Sequence, residues 1–135
     1  MAQRREFLQG SIAAALCALS PTLWAASTKL NSPVFPPLYK VLFDARHAAS
    51  RRFAAAFTEQ GVAAYGLPNG DITPFWRDEL AALWAHRPAA LAGLTDESVL
   101  FCLEQLGRQY GMRVQYREAQ SVGLVAWVLA PAARV

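Results

Sequence analysis

Residues 38–61 read LYKVLFDARHAASRRFAAAFTEQG, and this stretch predicts a β-strand that passes directly into an α-helix. Its first part, residues 38–43, is rich in residues that favour strands, and it ends at Asp44. From residue 46 to residue 60, apolar side chains recur at positions 49, 53, 56 and 57, which is helical spacing, and Gly61 supplies a C-terminal stop. A strand followed at once by a helix is the first half of a βαβ unit.

A second strand and helix are predicted further along the chain. Residues 62–66 favour a short strand, and the turn-forming residues 68–71 follow it. Thr73 stands before Pro74, so the threonine hydroxyl is expected to cap a helix whose first position the proline occupies. Apolar residues then line one face of this helix until Arg87 and the proline after it end the helix.

The third strand and helix are followed by two further strands. Residues 89–94 form a short apolar run, which predicts a buried parallel strand. Thr95 is expected to cap the next helix, which Gly111 stops. Residues 112–117 alternate between apolar and polar side chains, and residues 122–129 predict a last strand that returns antiparallel. This pair is expected to form a C-terminal β-hairpin.

The alternation of strands and helices predicts the fold class. Three strand–helix pairs with short connections imply right-handed βαβ units. The expected fold is therefore α/β: a small three-layer, Rossmann-like or flavodoxin-like sandwich with a mostly parallel sheet, in the order βαβαβα, closed by the hairpin. One α/β domain is expected over residues 38–130. A proline-rich linker, residues 27–37, precedes it, and residues 131–135 are expected to fray.

A charged segment followed by an apolar one covers residues 1–26. Two consecutive arginines stand before a Phe-Leu pair, and an alanine-rich run follows, which is the order of a secretory signal. The segment resembles a twin-arginine (Tat) signal peptide. The inner Arg-Arg-x-Phe-Leu pattern of that family is met, whereas its outer positions hold Gln3 and Gln9. The residues matched to signal recognition are Arg4, Arg5, Phe7 and Leu8.

The resemblance to a twin-arginine signal implies a route and a destination. It implies that the Tat export machinery carries the chain, already folded, to the periplasm. The apolar run is short for a membrane span and suits a cleavable segment, so no stable span is expected after cleavage. One alternative is an uncleaved N-terminus that anchors the protein in the membrane. Another is an amphipathic start in which the two arginines occur by chance.

Charge and cysteine content exclude some classes of function. The chain has 13 basic and 10 acidic side chains, and without residues 1–26 the counts are 11 and 9. Such a balance gives no basic face for nucleic acid. Cys102 is then the one cysteine, so no disulfide forms within the chain, and its apolar neighbours predict a buried structural thiol. Two histidines and this cysteine have no metal-binding spacing, and no cofactor is indicated.

The candidate site consists of polar residues that follow the three parallel strands. In open α/β sheets, ligands bind beyond the carboxyl ends of the strands, where the strand order reverses. A carboxylate, a guanidinium and an imidazole near helix N-termini suit an anionic or polar ligand. The alternative is that the carboxylate and hydroxyl groups only cap helices, and that the histidine lies at the surface. The candidate ligand-binding residues are Asp44, Arg46, His47, Asp71 and Thr95.

The first functional hypothesis is a small exported binding or accessory protein without catalytic activity. The chain carries no nucleophile elbow, phosphate-binding glycine loop or zinc-protease motif. A protein of this kind would hold a small anionic ligand in the crevice. It would otherwise bind a co-exported protein partner, in the crevice or at the half-polar strand that carries Arg113 and Arg117.

Two other hypotheses remain at the level of the sequence. In the first, the chain is a small hydrolase or transferase that acts on an anionic substrate at the strand ends. Asp44 would then be the acid, base or nucleophile, and Arg46 would position charge. In the second, it is a structural or interaction protein without a pocket. Its large aromatic residues would build core or interface, namely Trp76, Trp84 and Trp127.

Overall fold

The computed structural model describes residues 37–120 and 123–132, which form a five-stranded sheet and three helices. The strands are β1 (Leu38–Asp44), β2 (Ala64–Leu67), β3 (Ala90–Asp96), β4 (Met112–Ala119) and β5 (Leu124–Pro131). The helices are α1 (Ala48–Thr58), α2 (residues 73–86) and α3 (Glu97–Gly107). The α/β class and the predicted order of strands and helices are confirmed. The predicted signal (residues 1–26), the linker up to residue 36 and the last three residues lie outside the described residues.

The strand order in the sheet is β2-β1-β3-β5-β4. Strand β1 pairs in parallel with β2 and with β3. Strand β5 is antiparallel to both of its neighbours, β3 and β4, so the predicted hairpin is confirmed. The sheet is therefore mixed, which corrects the expectation of a mostly parallel sheet. The reason is that β5 runs antiparallel to β4 and also lies beside β3, which adds two antiparallel ladders.

Each face of the sheet carries its own buried cluster, because successive residues of a strand point to opposite sides. Helix α1 packs on one face, and helices α2 and α3 pack on the other. The cluster under α1 contains Val41, Phe53, Ala54, Phe57, Ala92, Leu94, Leu124, Ala126 and Val128. The cluster under α2 and α3 includes Leu42, Phe75, Leu80, Trp84, Leu91, Leu103 and Trp127. The sheet is thus the middle of three layers.

Close packing at the centre of the sheet depends on a glycine. A Cβ atom on Gly93 would clash with the indole ring of Trp127, which lies on the neighbouring strand in direct register. The ring therefore packs directly on the backbone of β3, and Trp127 is fully buried. Trp84 is 1% exposed, while Trp76 is half-buried. Trp84 and Trp127 thus belong to the core, as the structural hypothesis allowed, and not to an exposed surface.

Two helices begin differently from the prediction. Helix α2 begins at Thr73 itself, and the Asp71 carboxylate accepts a hydrogen bond of 2.9 Å from the Thr73 N–H. Helix α3 is capped by Asp96, which accepts from the Val99 N–H, so Thr95 is not its cap. The physical reason is that β3 continues to pair with β5 through Thr95 and Asp96, which makes the strand two residues longer than its apolar run.

The buried face of α3 also differs from the prediction. Its buried residues are Val99, Leu100, Leu103 and Gly107, whereas Cys102 is exposed. The prediction of a buried thiol is therefore wrong. Gly107 lies close to Met112 and Trp84, so α3 packs tightly at this point, and Leu100, rather than Cys102, is buried. The described helices include none that is long and apolar enough to cross a membrane.

Candidate functional site

The carboxyl ends of β1, β2 and β3 meet at one edge of the sheet, because these three strands are parallel. Helix α1 follows β1 and packs on one face, while α3 follows β3 and packs on the other. Two neighbouring strands whose helices leave to opposite faces define the point at which open α/β sheets bind ligands. The topological switch point that the sequence predicts therefore lies between the ends of β1 and β3.

Asp44 and Arg46 form a two-pronged ion pair at this point. Asp44 is the last residue of β1 and is 1% exposed. The Arg46 Nη2 donates to Asp44 Oδ2 at 2.6 Å, and Nε donates to Oδ1 at 2.9 Å. The backbone N–H of Arg46 also donates to Oδ1, at 3.0 Å. The buried carboxylate therefore fixes the direction of the guanidinium, although the Arg46 side chain is 51% exposed.

The loop after β2 and the start of α1 complete this group, which we call the carboxyl-edge cluster: Asp44, Arg46, His47 and Gly70. Gly70 has φ = +73°, and a Cβ atom there would lie 2.5 Å from Arg46 Nη2 and 3.1 Å from Asp44 Oδ2. The glycine thus lets the loop pass directly over the ion pair. His47 Nε2 lies 3.9 Å from Asp44 Oδ2, and the His47 side chain is 36% exposed.

A buried serine holds the ends of β1 and β3 together beneath the carboxyl-edge cluster. Ser50 Oγ accepts a hydrogen bond of 2.8 Å from the Asp44 N–H and donates one of 2.5 Å to the Leu94 carbonyl. Ser50 is fully buried in α1. Since it contacts both strands from the helix, it fixes the crevice floor without using the Asp44 carboxylate.

The electrostatics of the cluster favour a permanently charged pair. The Arg46 hydrogen bond holds the pKa of the Asp44 carboxyl below its ordinary value, although burial opposes this, and His47 adds a smaller effect. The same hydrogen bond raises the pKa of Arg46, to which the charge of Asp96 also contributes. An ionised carboxylate whose oxygens already accept from Arg46 is a poor proton donor and a poor nucleophile at neutral pH. The arrangement is suited to present a guanidinium.

The other two predicted site residues do not join the cluster. The Asp71 carboxylate is exposed and accepts a hydrogen bond from the N–H of Thr73, the first residue of α2, and this bond lowers its pKa. Thr95 is fully buried in β3, where its Oγ1 accepts from Trp127 Nε1 at 3.0 Å and donates to the Asp96 carbonyl. Among the described residues, no three His, Cys, Asp or Glu side chains are grouped so as to hold a metal ion.

A second polar group, which the sequence analysis missed, lies near the amino end of β1. We call it the amino-edge cluster: Tyr39, Lys40 and Glu79. The Tyr39 hydroxyl and the Lys40 ammonium both donate to Glu79 Oε2. Lys40 Nζ also lies 5.3, 5.9 and 5.8 Å from the ring centroids of Tyr39, Tyr65 and Phe75, within reach of cation–π attraction.

Two backbone irregularities create the amino-edge cluster. Strand β1 contains a bulge, because Leu38 pairs with Ala90 and Lys40 already pairs with Leu91. The bulge lets Tyr39 and Lys40, although consecutive, both meet Glu79. Helix α2 consists of an α-helical turn (Thr73–Phe75), a π-helical turn (Trp76–Leu80) and an α-helix (Ala81–His86), and Glu79 lies in the π turn. Bulges and π turns are both frequent at functional sites.

The amino-edge cluster also shifts pKa values. The hydrogen bond to Glu79, together with burial, raises the pKa of the Tyr39 phenol to about 12. Burial acts to raise the pKa of Glu79, and the hydrogen bonds from Lys40 and Tyr39 lower it below its ordinary value. At neutral pH the cluster therefore holds a neutral phenol and a carboxylate paired with Lys40. One signal in the sequence is the charge of Lys40 within an otherwise apolar and aromatic run.

The half-polar strand of the first hypothesis is β4, which lies at one edge of the sheet. Its two arginines contact neighbouring groups of the chain: Arg117 pairs with Glu97 of α3, and Arg113 donates to the Met112 carbonyl.

Comparison of the chain with protein-family models, with curated proteins and with solved structures finds no match.

Proposed function

We propose that the chain is a small exported binding or accessory protein, without catalytic activity, that holds an anionic ligand at the carboxyl-edge cluster. The observation that carries this proposal is that the Arg46 guanidinium is both fixed in direction and exposed. Its guanidinium is oriented by a buried carboxylate through Nε and Nη2, while half of the side chain stays exposed. A guanidinium held in this way loses little conformational freedom when it binds an anion.

The position of His47 supports the same ligand class. The His47 side chain is 36% exposed and its Nε2 lies 3.9 Å from Asp44 Oδ2, the oxygen to which Arg46 Nη2 donates, so the imidazole offers a second donor beside Arg46. A carboxylate or phosphate oxygen is the acceptor that a guanidinium and an imidazole bind best. The proposed ligand is therefore a small carboxylate or phosphate compound.

The alternative, a hydrolase or transferase that uses Asp44, has weaker support. Asp44 accepts four hydrogen bonds from Arg46 through both of its oxygens, and its pKa is lowered. A general acid at neutral pH requires a raised pKa, and a nucleophile requires an accessible oxygen. The geometry of Asp44 instead favours the role of orienting Arg46.

A co-exported protein partner is the second candidate for what this protein binds. The observation that favours it is Phe101 of α3, a large apolar side chain that is 62% exposed and lies beside the exposed Cys102. Photo-crosslinking from a benzophenone maleimide on Cys102, in cell extracts, tests this candidate. A single discrete adduct that Phe101→Ser abolishes supports a partner on α3, and the lack of any adduct contradicts it.

Export by the twin-arginine route is part of the proposal. It is supported by the Arg-Arg-x-Phe-Leu pattern at residues 4–8 and implies a periplasmic protein, or a membrane-anchored one if the N-terminus is not cleaved. The double variant Arg4→Lys, Arg5→Lys keeps the charge and should leave the protein in the cytoplasm on cell fractionation. The matched control is Arg51→Lys, Arg52→Lys, which changes a second arginine pair in α1 and should not alter export.

We also propose that the first three strands form a flavodoxin-like unit. The support is the strand order β2-β1-β3 with parallel pairing, which is the order of the first strands in that doubly wound fold. The antiparallel β5 and β4 take the place of the further parallel strands.

The proposed ligand class is tested by thermal unfolding of the full chain with phosphate, pyrophosphate, citrate and succinate. A ligand at 100 times its dissociation constant adds about 2.7 kcal/mol to the stability of the folded state. We expect at least one of these anions to raise the Tm of the wild type and of Arg52→Ala, and to leave the Tm of Arg46→Ala unchanged. An equal rise in Arg46→Ala, or no rise with any of the anions, would contradict the proposal.

A further inference from the structure

A groove of about 450 Å³ opens at the opposite edge of the sheet from the carboxyl-edge cluster. Its walls come from the start of β1, the connection between α2 and β3, and the end of β5, through Leu38, Tyr39, Arg87, Pro88, Ala90 and Pro131. This volume lies within the range of small-molecule sites. We call it the amino-edge groove. It shares Tyr39 with the amino-edge cluster and contains no residue of the carboxyl-edge cluster.

The walls of the amino-edge groove are apolar and held in place. Proline contributes to all three walls, through Pro37, Pro88 and Pro131, and its ring fixes the backbone on either side of the opening. The indole N–H of Trp84, which is itself buried, donates to the Ala89 carbonyl at 3.0 Å and so fixes the connection between α2 and β3. A fixed apolar surface binds an apolar body with little loss of side-chain freedom.

Charge at the amino-edge groove comes from one guanidinium. Arg87 is exposed, and within the described residues it forms no ion pair with an acidic side chain. Its backbone is fixed, because its N–H donates to the Leu83 carbonyl at 2.8 Å and Pro88 follows it. The nearest carboxylate of the adjoining cluster, Glu79, is already neutralised by Lys40. The groove therefore combines apolar walls with a net positive rim.

We infer that the amino-edge groove is a second binding site, for a small monocarboxylic acid with an apolar body. The body lies on the proline and alanine surfaces, and the carboxylate pairs with the Arg87 guanidinium. Tyr39 also lines the groove, and its hydroxyl already donates to Glu79, so the proposed site does not use it as a donor to the acid. The groove offers no free carboxylate to a cationic ligand, and a neutral ligand would leave Arg87 unpaired.

The test is a titration of the full chain, labelled with ¹⁵N, by hexanoate and by its neutral isostere hexanamide. We expect hexanoate to shift the amide signals of Leu38, Tyr39, Ala89 and Ala90 in a saturable manner. Hexanamide should bind roughly tenfold more weakly, as expected when a charge-assisted hydrogen bond is lost. In Arg87→Gln the affinity for hexanoate should fall by about the same factor, so that hexanoate binds this variant as weakly as hexanamide binds the wild type. The matched control Arg52→Gln should bind hexanoate like the wild type.

Three outcomes overturn the inference. The first is an absence of saturable shifts at these four amides with hexanoate at tens of millimolar. The second is equal affinity of the wild type and Arg87→Gln, which would mean that the carboxylate does not contact this guanidinium. The third is a set of shifts confined to Arg46, His47 and Gly70, which would place the acid in the carboxyl-edge cluster. That last result would support the proposed function while it refutes a second site, so the two proposals can fail separately.

Discussion

The carboxyl-edge and amino-edge clusters each hold a carboxylate against a cation, but they do so in different surroundings. At the carboxyl edge, Asp44 is 1% exposed, and its partner is two residues away in the sequence. At the amino edge, the Glu79 side chain is 26% exposed, that of Lys40 is 21% exposed, and the two are 39 residues apart. The first pair is completed by local backbone geometry, whereas the second joins a strand to a helix.

The comparison shows that burial, more than the number of contacts, sets the energetic weight of an ion pair. Water solvates both partners at the amino edge, so the loss of one partner there is largely compensated. At the carboxyl edge, the Asp44 side chain is 1% exposed, so the loss of its partner is compensated less.

The largest expected effect is that of Arg46→Ala, which leaves the Asp44 carboxylate buried without its cation. We expect the largest loss of stability among these variants, because a carboxylate that is 1% exposed loses its cation, although the exposure of Arg46 moderates the loss. The measurement is urea unfolding at pH 7. Arg52→Ala, at an exposed position on α1, is the control and should change stability by less than about 0.5 kcal/mol. Equal losses in the two variants would show that Asp44 is solvated.

The contact between Gly70 and the ion pair is tested by Gly70→Ala and Gly111→Ala. The two glycines have φ of +73° and +76°, so both variants carry the same backbone strain, but nothing lies within 4 Å of a Cβ on Gly111. We expect losses of about 2 kcal/mol at Gly70 and about 1 kcal/mol at Gly111. The excess at Gly70 should become smaller when Arg46 is alanine, because only the 3.1 Å contact with Asp44 Oδ2 remains. An undiminished excess in the double variant would rule out Arg46 as its main cause.

At the amino edge, Glu79→Gln keeps a hydrogen-bond acceptor for Tyr39 and Lys40 but removes the charge. We expect a loss of about 1 kcal/mol, clearly smaller than that of Arg46→Ala, because both partners are partly solvated. Chemical denaturation beside Glu59→Gln, an exposed acid at the end of α1, gives the comparison. A loss as large as that of Arg46→Ala would overturn the ranking of the two clusters.

The two clusters should also respond at opposite ends of the pH scale. Asp44 has a lowered pKa in the folded state, so its contribution is complete above the ordinary value of about 3.9 and is lost as the pH falls through the folded value. We expect the stability of the wild type to fall in acid more steeply than that of Asp44→Asn. Parallel acid limbs in the two proteins would refute this assignment.

Tyr39 has a raised pKa of about 12, so its contribution is complete below the ordinary value of about 10 and is lost as the pH rises toward 12. We expect the wild type to lose stability between pH 10 and 12 more steeply than Tyr39→Phe. Denaturant unfolding at intervals across this window measures the difference. The same slope in both proteins would mean that the phenol is not held by Glu79.

The same contrast explains how much of the molecule could be predicted. Asp44, Arg46 and His47 are consecutive or nearly so, and the position of a strand end in an α/β sheet is a topological property that periodicity reveals. The prediction that Thr95 caps α3 fails because β5 pairs with the end of β3. This long-range contact leaves no signal in the local sequence. The exposure of Cys102 could not be predicted, because it depends on how α3 packs where Gly107 lies close to its neighbours.

The amino-edge cluster could not be predicted from constant periods. A bulge between Leu38 and Lys40 changes the alternation of β1, and a π turn around Glu79 changes the phase of α2. Each irregularity shifts every following side chain relative to the period assumed. Their coincidence joins residues 39 and 40 to residue 79, and neither irregularity has a glycine or proline of its own that marks it in the sequence.

The central claim is that Arg46, oriented by Asp44, binds an anion at the carboxyl edge of the sheet. The most direct measurement is an ¹⁵N–¹H NMR titration of the full chain with pyrophosphate at low ionic strength, which reads the backbone amides and the Arg46 Nε–H together. We expect saturable shifts at Arg46, His47 and Gly70 that disappear in Arg46→Lys, in which the charge remains but the two-pronged geometry is lost. Shifts spread over Arg51, Arg52 and Arg108, or retained in full by Arg46→Lys, would show that the anion is held by general surface charge and would contradict the claim.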